Sequence, residues 1–144
     1  MKSRTKARGV ALQVLYEYDL TRHPIGIILE NRLNEEELED NFVDFVNQIV
    51  TGVFPIINQL DKVIAEHAPE WPLDQVAVID RNILRIALWE FAVTGITPVK
   101  VAINEAIELA KRMSKDLFMS STQKTAVHAG SIANGSKILL MKSF

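Results

Sequence analysis

The chain has no cysteine among its 144 residues, which excludes a disulfide framework and any thiolate metal site. That absence is compatible with a reducing cytoplasm. No run approaches the roughly 18–20 apolar residues needed to span a bilayer, so no membrane association is expected. The opening Met1-Lys2-Ser3-Arg4 lacks the apolar stretch of a secretory signal. The first sixteen residues are basic and acid-free, as in a transit peptide, but they run into a helical apolar pattern with no cleavage-like break. Glycine is sparse, and Gly9, Gly26 and Gly52 each stand alone in a helical context, so there is no phosphate-cradling loop. His23, His67 and His128 are scattered and form no i, i+4 ligand pair, which argues against a bound metal. The serines near the end, such as Ser120 and Ser121, lack the context of a nucleophile elbow. Glu105 and Glu108 form an acid pair, but without a shaped cleft it reads as a solvated helix face. No segment alternates with period two for long enough to argue a strand. These absences point away from an enzyme and away from any cofactor.

What is present is helical periodicity. Ser3 is placed to cap a first helix running to about Leu20, with Ala7, Val10, Ala11, Val14, Leu15 and Tyr18 on one buried face. Arg22-His23-Pro24 ends it, because the residue before a proline disfavours helical geometry. Pro24 then opens a short second helix, with Ile25, Ile28 and Leu29 as its contacts. The acids Glu35, Glu36, Glu37, Glu39 and Asp40 are expected at a helix start after Asn34, where they complement the helix dipole. Phe42, Phe45, Val46, Ile49, Val50 and Val53 mark the buried face of the helix that follows. Pro55 predicts a kink or break near Phe54, after which Ile56, Ile57, Leu60, Val63 and Ile64 resume the period.

Pro69 and Pro72 bracket Trp71 and divide a single domain, 1–144, into helical halves at 1–70 and 71–144. From Val76 to Phe91 the chain is apolar on more than one face, which predicts a helix packed centrally among others. Gly95 and Pro98 separate it from a helix through Val101, Ile103, Ala106, Ile107, Leu109 and Ala110. After Arg112, serines and glycines dilute the period, and residues 113–144 show no clear pattern.

The net charge of −2 conceals an asymmetry: Lys2, Arg4, Lys6 and Arg8 give the first sixteen residues +4, leaving −6 on the remainder. A basic end on an acidic protein is a candidate for contact with a polyanion, against the blander reading of a solvated terminus. Arg4 and Arg8 are i, i+4 neighbours, as are Arg81 and Arg85 on the most apolar helix. A cation on a buried helix must find water, an acid or an anionic ligand. Asp74, Asp80 and Glu90 are the acids that spacing offers to Arg81 and Arg85. Tyr16 and Tyr18 add aromatic groups on the first helix that could stack on an unpaired base.

Three blocks, in order, resemble the NusB family. Arg4-x-x-x-Arg8-x-x-Ala11-Leu12-Gln13-x-Leu15-Tyr16 is similar to its opening helix. Ile79-Asp80-Arg81-x-Ile83-Leu84-Arg85-Ile86-Ala87-Leu88-Trp89-Glu90-Phe91 is similar to its central helix. Pro98-Val99-Lys100-Val101-Ala102-Ile103-Asn104-Glu105-Ala106-Ile107-Glu108-Leu109-Ala110-Lys111 is similar to its most recognisable segment. The resemblance implies an all-α fold of two small packed helical bundles, with about six to seven helices. It implies a transcription antitermination factor that pairs with NusE, a small-subunit ribosomal protein, and binds the single-stranded boxA element of nascent RNA. The complex acts on RNA polymerase and promotes read-through in ribosomal RNA operons. Carried over, Lys2, Arg4, Lys6, Arg8 and Arg81 would contact RNA, and Tyr16, Asp80, Arg85 and Glu90 would serve the RNA or NusE interface. Ile103, Asn104 and Glu105 look mainly structural.

The family's last helix carries a Phe-Val-Asn-Gly-Val-Leu run, of which Ala126-Val127-His128-Ala129-Gly130 is a faint echo. Divergence of that helix, or a reading-frame shift after Arg112, would account for the loss. Two other readings remain open at this point: the NusB-like domain of an RNA cytosine methyltransferase, and a protein-binding helical scaffold without RNA recognition.

Overall fold

A computed structural model of the chain describes residues 3–67 and 77–118. Every regular element among them is helical, as the periodicity predicts. In order these are α1 (Ser3–Thr21), α2 (Ile25–Glu35), α3 (Asp40–Val53), a 3-10 turn (Phe54–Ile56), α4 (Ile57–His67), α5 (Val78–Leu88), a π-helical turn (Trp89–Val93) and α6 (Val99–Phe118). No helix among the described residues is long and apolar enough to cross a membrane. The boundary expected at Pro69–Pro72 lies outside the described residues, as do 119–144. The chain divides into two compact units, one ending at Ile57 and one beginning at Asn58.

In the first unit, α1 packs against both α2 and α3. Its buried stripe holds the predicted Ala7, Val10, Ala11, Val14 and Leu15, and adds Leu12. Opposite stand Phe45, Val46, Ile49, Val50 and Val53 of α3, with Ile28 from α2. The end of α1 is set by Arg22, which takes a left-handed φ of 60° while its N–H donates to the Tyr18 carbonyl at 2.8 Å. That is an αL cap on a residue other than glycine. The Arg22 guanidinium lies 5.1 Å from the Tyr18 ring centroid, and Tyr18 meets Phe54 edge-on at 4.8 Å. Pro24 starts α2, its carbonyl accepting from the N–H groups of Ile27 and Ile28 at 3.1 and 3.2 Å. Arg32 ties α2 back to α1 through Glu17 at 3.1 Å.

Two expectations need correcting. The acids do not sit together at a helix start: Glu35 closes α2, and Asp40 alone stands in the first turn of α3. The intervening Glu36–Glu39 stretch forms the connection, and the Glu39 carbonyl receives the N–H groups of Phe42 and Val43 at 2.9 and 3.0 Å. Second, α6 runs on past Arg112 to Phe118. The kink expected near Phe54 is present as the 3-10 turn around Pro55.

In the second unit, α5 packs on α6 and on the π-helical turn. From Asn82 to Glu90 every residue is buried, so α5 is enclosed on all sides as its pattern predicts. The helix opens at its end, where the Thr94 N–H donates to the Trp89 carbonyl at 3.0 Å, five residues back. Gly95 then adopts a φ of 67°, and the Thr97 hydroxyl donates to the buried Glu90 carboxyl oxygen Oε1 at 2.7 Å. Pro98 launches α6 by accepting from the Ala102 N–H at 2.9 Å.

Candidate nucleic-acid interface

The first two turns of α1 hold the basic residues, and helical geometry sorts them. Successive residues are about 100° apart around a helix axis, so Arg4 and Arg8 share a face while Lys6 points elsewhere. Arg4 is exposed, and its guanidinium carbon stands 4.0 Å from the centroid of the Phe45 ring on α3. Arg8 is only 3% exposed and reaches the same ring at 5.3 Å. Phe45 itself is 4% exposed, so the two arginines share a buried aromatic base. Both contacts fall within the range of a cation held by a ring quadrupole, about 6 Å.

Lys6 turns to the α2–α3 connection. Its Nζ donates to the Glu37 carbonyl at 3.2 Å and stands 3.9 Å from Glu36 Oε2. The acids expected to complement a helix dipole thus compete for one of the cations expected to meet RNA. Tyr16 is half-buried and lies two turns beyond Arg8, about 12 Å along the helix axis. Lys2 lies outside the described residues.

In the second unit, Arg81 is half-buried in the first turn of α5, where its N–H donates to the Ala77 carbonyl at 2.9 Å. Arg85, expected at the RNA or NusE interface, is 2% exposed and hydrogen-bonded within its own unit. Its Nε and Nη2 donate to the two carboxylate oxygens of Asp61 on α4, each at 2.7 Å, and its Nη1 donates to Asn82 Oδ1 at 2.9 Å. The planar fork is matched to a carboxylate inside the protein, and its donors are not displayed at the surface. Spacing offered Asp74, Asp80 and Glu90 to Arg81 and Arg85; Asp74 lies outside the described residues, and the structure adds to Arg85 an acid that spacing did not offer, Asp61, 24 residues earlier. Asp80 and Glu90 are buried, 2% and 1% exposed.

Sequence reasoning passed over three residues that organise these sites. Phe45 was legible only as a core position, because its periodicity says nothing of the cations above it. Asp61 is one of two acids on α4, with Glu66, and no local signal singles it out. Thr97 lies in a connection whose glycine and proline were the visible features. The open cleft between α2 and α3 is lined by Gly26, Leu29, Leu33 and Val43, with Glu30 its one charge, so it offers nothing cationic to a nucleic acid. Among the described residues, no group of three metal-ligating side chains converges.

The model of the NusB family matches residues 5–118. The transcription antitermination protein NusB of Bacillus subtilis is 43% identical over 116 residues, covering 81% of this chain and 85% of that one. The protein of the same name from Chloroflexus aggregans is 41% identical over 115 residues, covering 78% and 77%. The fold is similar to that of T. maritima NusB, with a TM-score of 0.74 at 25% identity over 98% of this chain and 92% of the other. It is also similar to a chain in a crystal structure of antitermination factors NusB and NusE in complex with dsRNA, with a TM-score of 0.73 over 100% and 99% of the two chains. At 21% identity that second likeness bears on the fold alone. With a family match across most of its length and relatives above 40% identity, the chain belongs to the NusB family.

Proposed function

We propose that this chain is a transcription antitermination factor that binds boxA-type single-stranded RNA together with NusE. On this reading it works in the cytoplasm as part of an RNA polymerase antitermination complex, promotes read-through in ribosomal RNA operons, and itself catalyses no reaction. The observation that carries the proposal is the exposed Arg4 held over the Phe45 ring at the start of α1, with the buried Arg8 against the same ring, in a chain of this family. Single-stranded RNA needs cations for its phosphates and planar groups for its splayed bases, and an arginine supplies both.

Arg4 is the principal RNA contact. Arg8 supports it from within, Lys2 and Lys6 add charge, and Arg81 on α5 contributes separately. Tyr16 is a weaker candidate for the same interface. Asp80, Arg85 and Glu90 serve it indirectly by holding α5 in shape.

A handful of cations gives a modest electrostatic grip, so the chain alone binds weakly and NusE raises affinity by adding contacts. Binding of a boxA oligonucleotide, with and without NusE at two salt concentrations, tests this directly, with a duplex of the same sequence as competitor. Tight, salt-sensitive binding only with NusE, resisted poorly by the duplex, is the expected result. No binding even with NusE at low salt would overturn the proposal.

A further inference from the structure

We infer that Phe45 is a positioning residue of the RNA surface: it holds the Arg4 guanidinium as a platform on which one unpaired base stacks. This rests on the reading of α1 as the RNA-binding element. An exposed arginine ordinarily samples many rotamers, and that freedom is lost when it is fixed against a ligand. Here Arg4 Cζ already stands at van der Waals distance from an aromatic face, 4.0 Å from its centroid. The ring is enclosed by packing, because Phe45 is 4% exposed and sits in the run of α3 side chains, Val46, Ile49, Val50 and Val53, that forms the core. Arg4 remains exposed, so its other side is open to an incoming planar group. The order of layers is then ring, guanidinium, base.

Arg8 reaches the same ring at 5.3 Å but is buried, so it adds charge near the platform and is not a second stacking surface. Lys6 faces the Glu36–Glu37 connection and takes no part. A phenylalanine present only to fill the core could be exchanged for another apolar group without consequence for RNA. A positioning phenylalanine could not.

The test measures binding of a single-stranded boxA oligonucleotide to the full chain with NusE, for four variants. Phe45→Leu keeps the apolar filling and removes the π face, and is expected to weaken binding by about threefold to fivefold, the reach of an exposed cation–π contact. Arg4→Lys keeps the charge and removes the plane. It should lose a similar factor while leaving the dependence of affinity on salt unchanged. Phe45→Leu combined with Arg4→Ala should bind no worse than Arg4→Ala alone. Pentafluorophenylalanine at position 45 preserves shape and packing while reversing the ring's quadrupole, which keeps the test valid if the leucine variant unfolds. It should reproduce the loss.

If Arg4→Ala weakens binding but none of the changes at position 45 does, or if the losses at 4 and 45 simply add, the platform is wrong while the RNA-binding reading stands. If the unaltered chain with NusE binds no RNA, both fall together.

Discussion

Arg85 carries its charge on a side chain 3% exposed, and the carboxylate of Asp61 takes two of its N–H donors at 2.7 Å. Desolvating two ions costs about as much as their attraction returns, so such a pair is weak evidence of net stabilisation, but removing one partner strands the other. The two halves of the pair are not equivalent, because the Asp61 side chain is 23% exposed. Asp61→Ala takes the bidentate carboxylate from a buried guanidinium, leaves its Nη1–Asn82 hydrogen bond in place, and should cost about 3 kcal/mol in urea denaturation. Arg85→Met leaves an aspartate that water can reach and fills the space with an apolar chain of similar length, so its cost should be clearly smaller. Equal losses for the two variants would show that the pair is as dry on the Asp61 side as on the Arg85 side. Neither variant should alter RNA affinity beyond its effect on the folded fraction, which separates this arginine from Arg4.

At the scale of elements, the connections are where chain chemistry and charge decide the outcome. The turn after the π-helical segment depends on Gly95 at φ 67°, and a Cβ there would meet nothing within 4 Å. The cost of Gly95→Ala is therefore purely conformational, about 1 kcal/mol, and should appear as a lower thermal midpoint with no change in RNA binding. A much larger loss would mean that the start of α6 moves with the turn.

The α2–α3 connection acts electrically. Lys6 and Glu36 are both partly exposed at 3.9 Å, so their pairing contributes little to stability. Their competition with RNA is another matter. Lys6→Ala should weaken RNA binding less than Arg4→Ala, and Glu36→Gln should strengthen it about twofold with stability unchanged within about 0.5 kcal/mol. Titrations at low salt would resolve both. Weaker binding by the glutamine variant would contradict the geometry of Lys6.

The helices themselves were legible because periodicity is a local signal. The stripe of α1, the break at Pro55 and the enclosed α5 all follow from spacing. Their ends were harder to read. The start of α3 was masked by acids that suit a helix N-terminus but here also line a linker, and the continuation of α6 was obscured by the serines beyond it, although Met113 and Leu117 extend the spacing of Ala106, Leu109 and Ala110. Val99 and Val101 are 45% exposed although they begin an apolar pattern. No spacing rule joins Asp61 to Arg85, or Phe45 to Arg4, since tertiary contact brings them together.

For the whole molecule, the decisive quantity is how much of its small positive charge RNA can use. The chain is −2 overall, with +4 concentrated in its first sixteen residues, so long-range attraction to RNA is weak and local contact must supply the affinity. Each phosphate neutralised on a single strand contributes about −0.7 to the slope of log affinity against log salt. Lys2, Arg4, Lys6, Arg8 and Arg81 together thus set a ceiling near about −3.5. The structure lowers that figure, because Lys6 is already engaged by Glu36 and Glu37 and Arg8 is 3% exposed. A slope near about −2 is expected for the chain alone. Adding NusE should steepen it, because the partner brings its own cations, whereas a partner that merely rigidified α1 would raise affinity at constant slope. Charge reversal at Arg4 should flatten the slope by about one phosphate's worth both with and without NusE. A slope for the isolated chain steeper than about −3.5 would require RNA contacts beyond the five cations and would place the principal surface elsewhere.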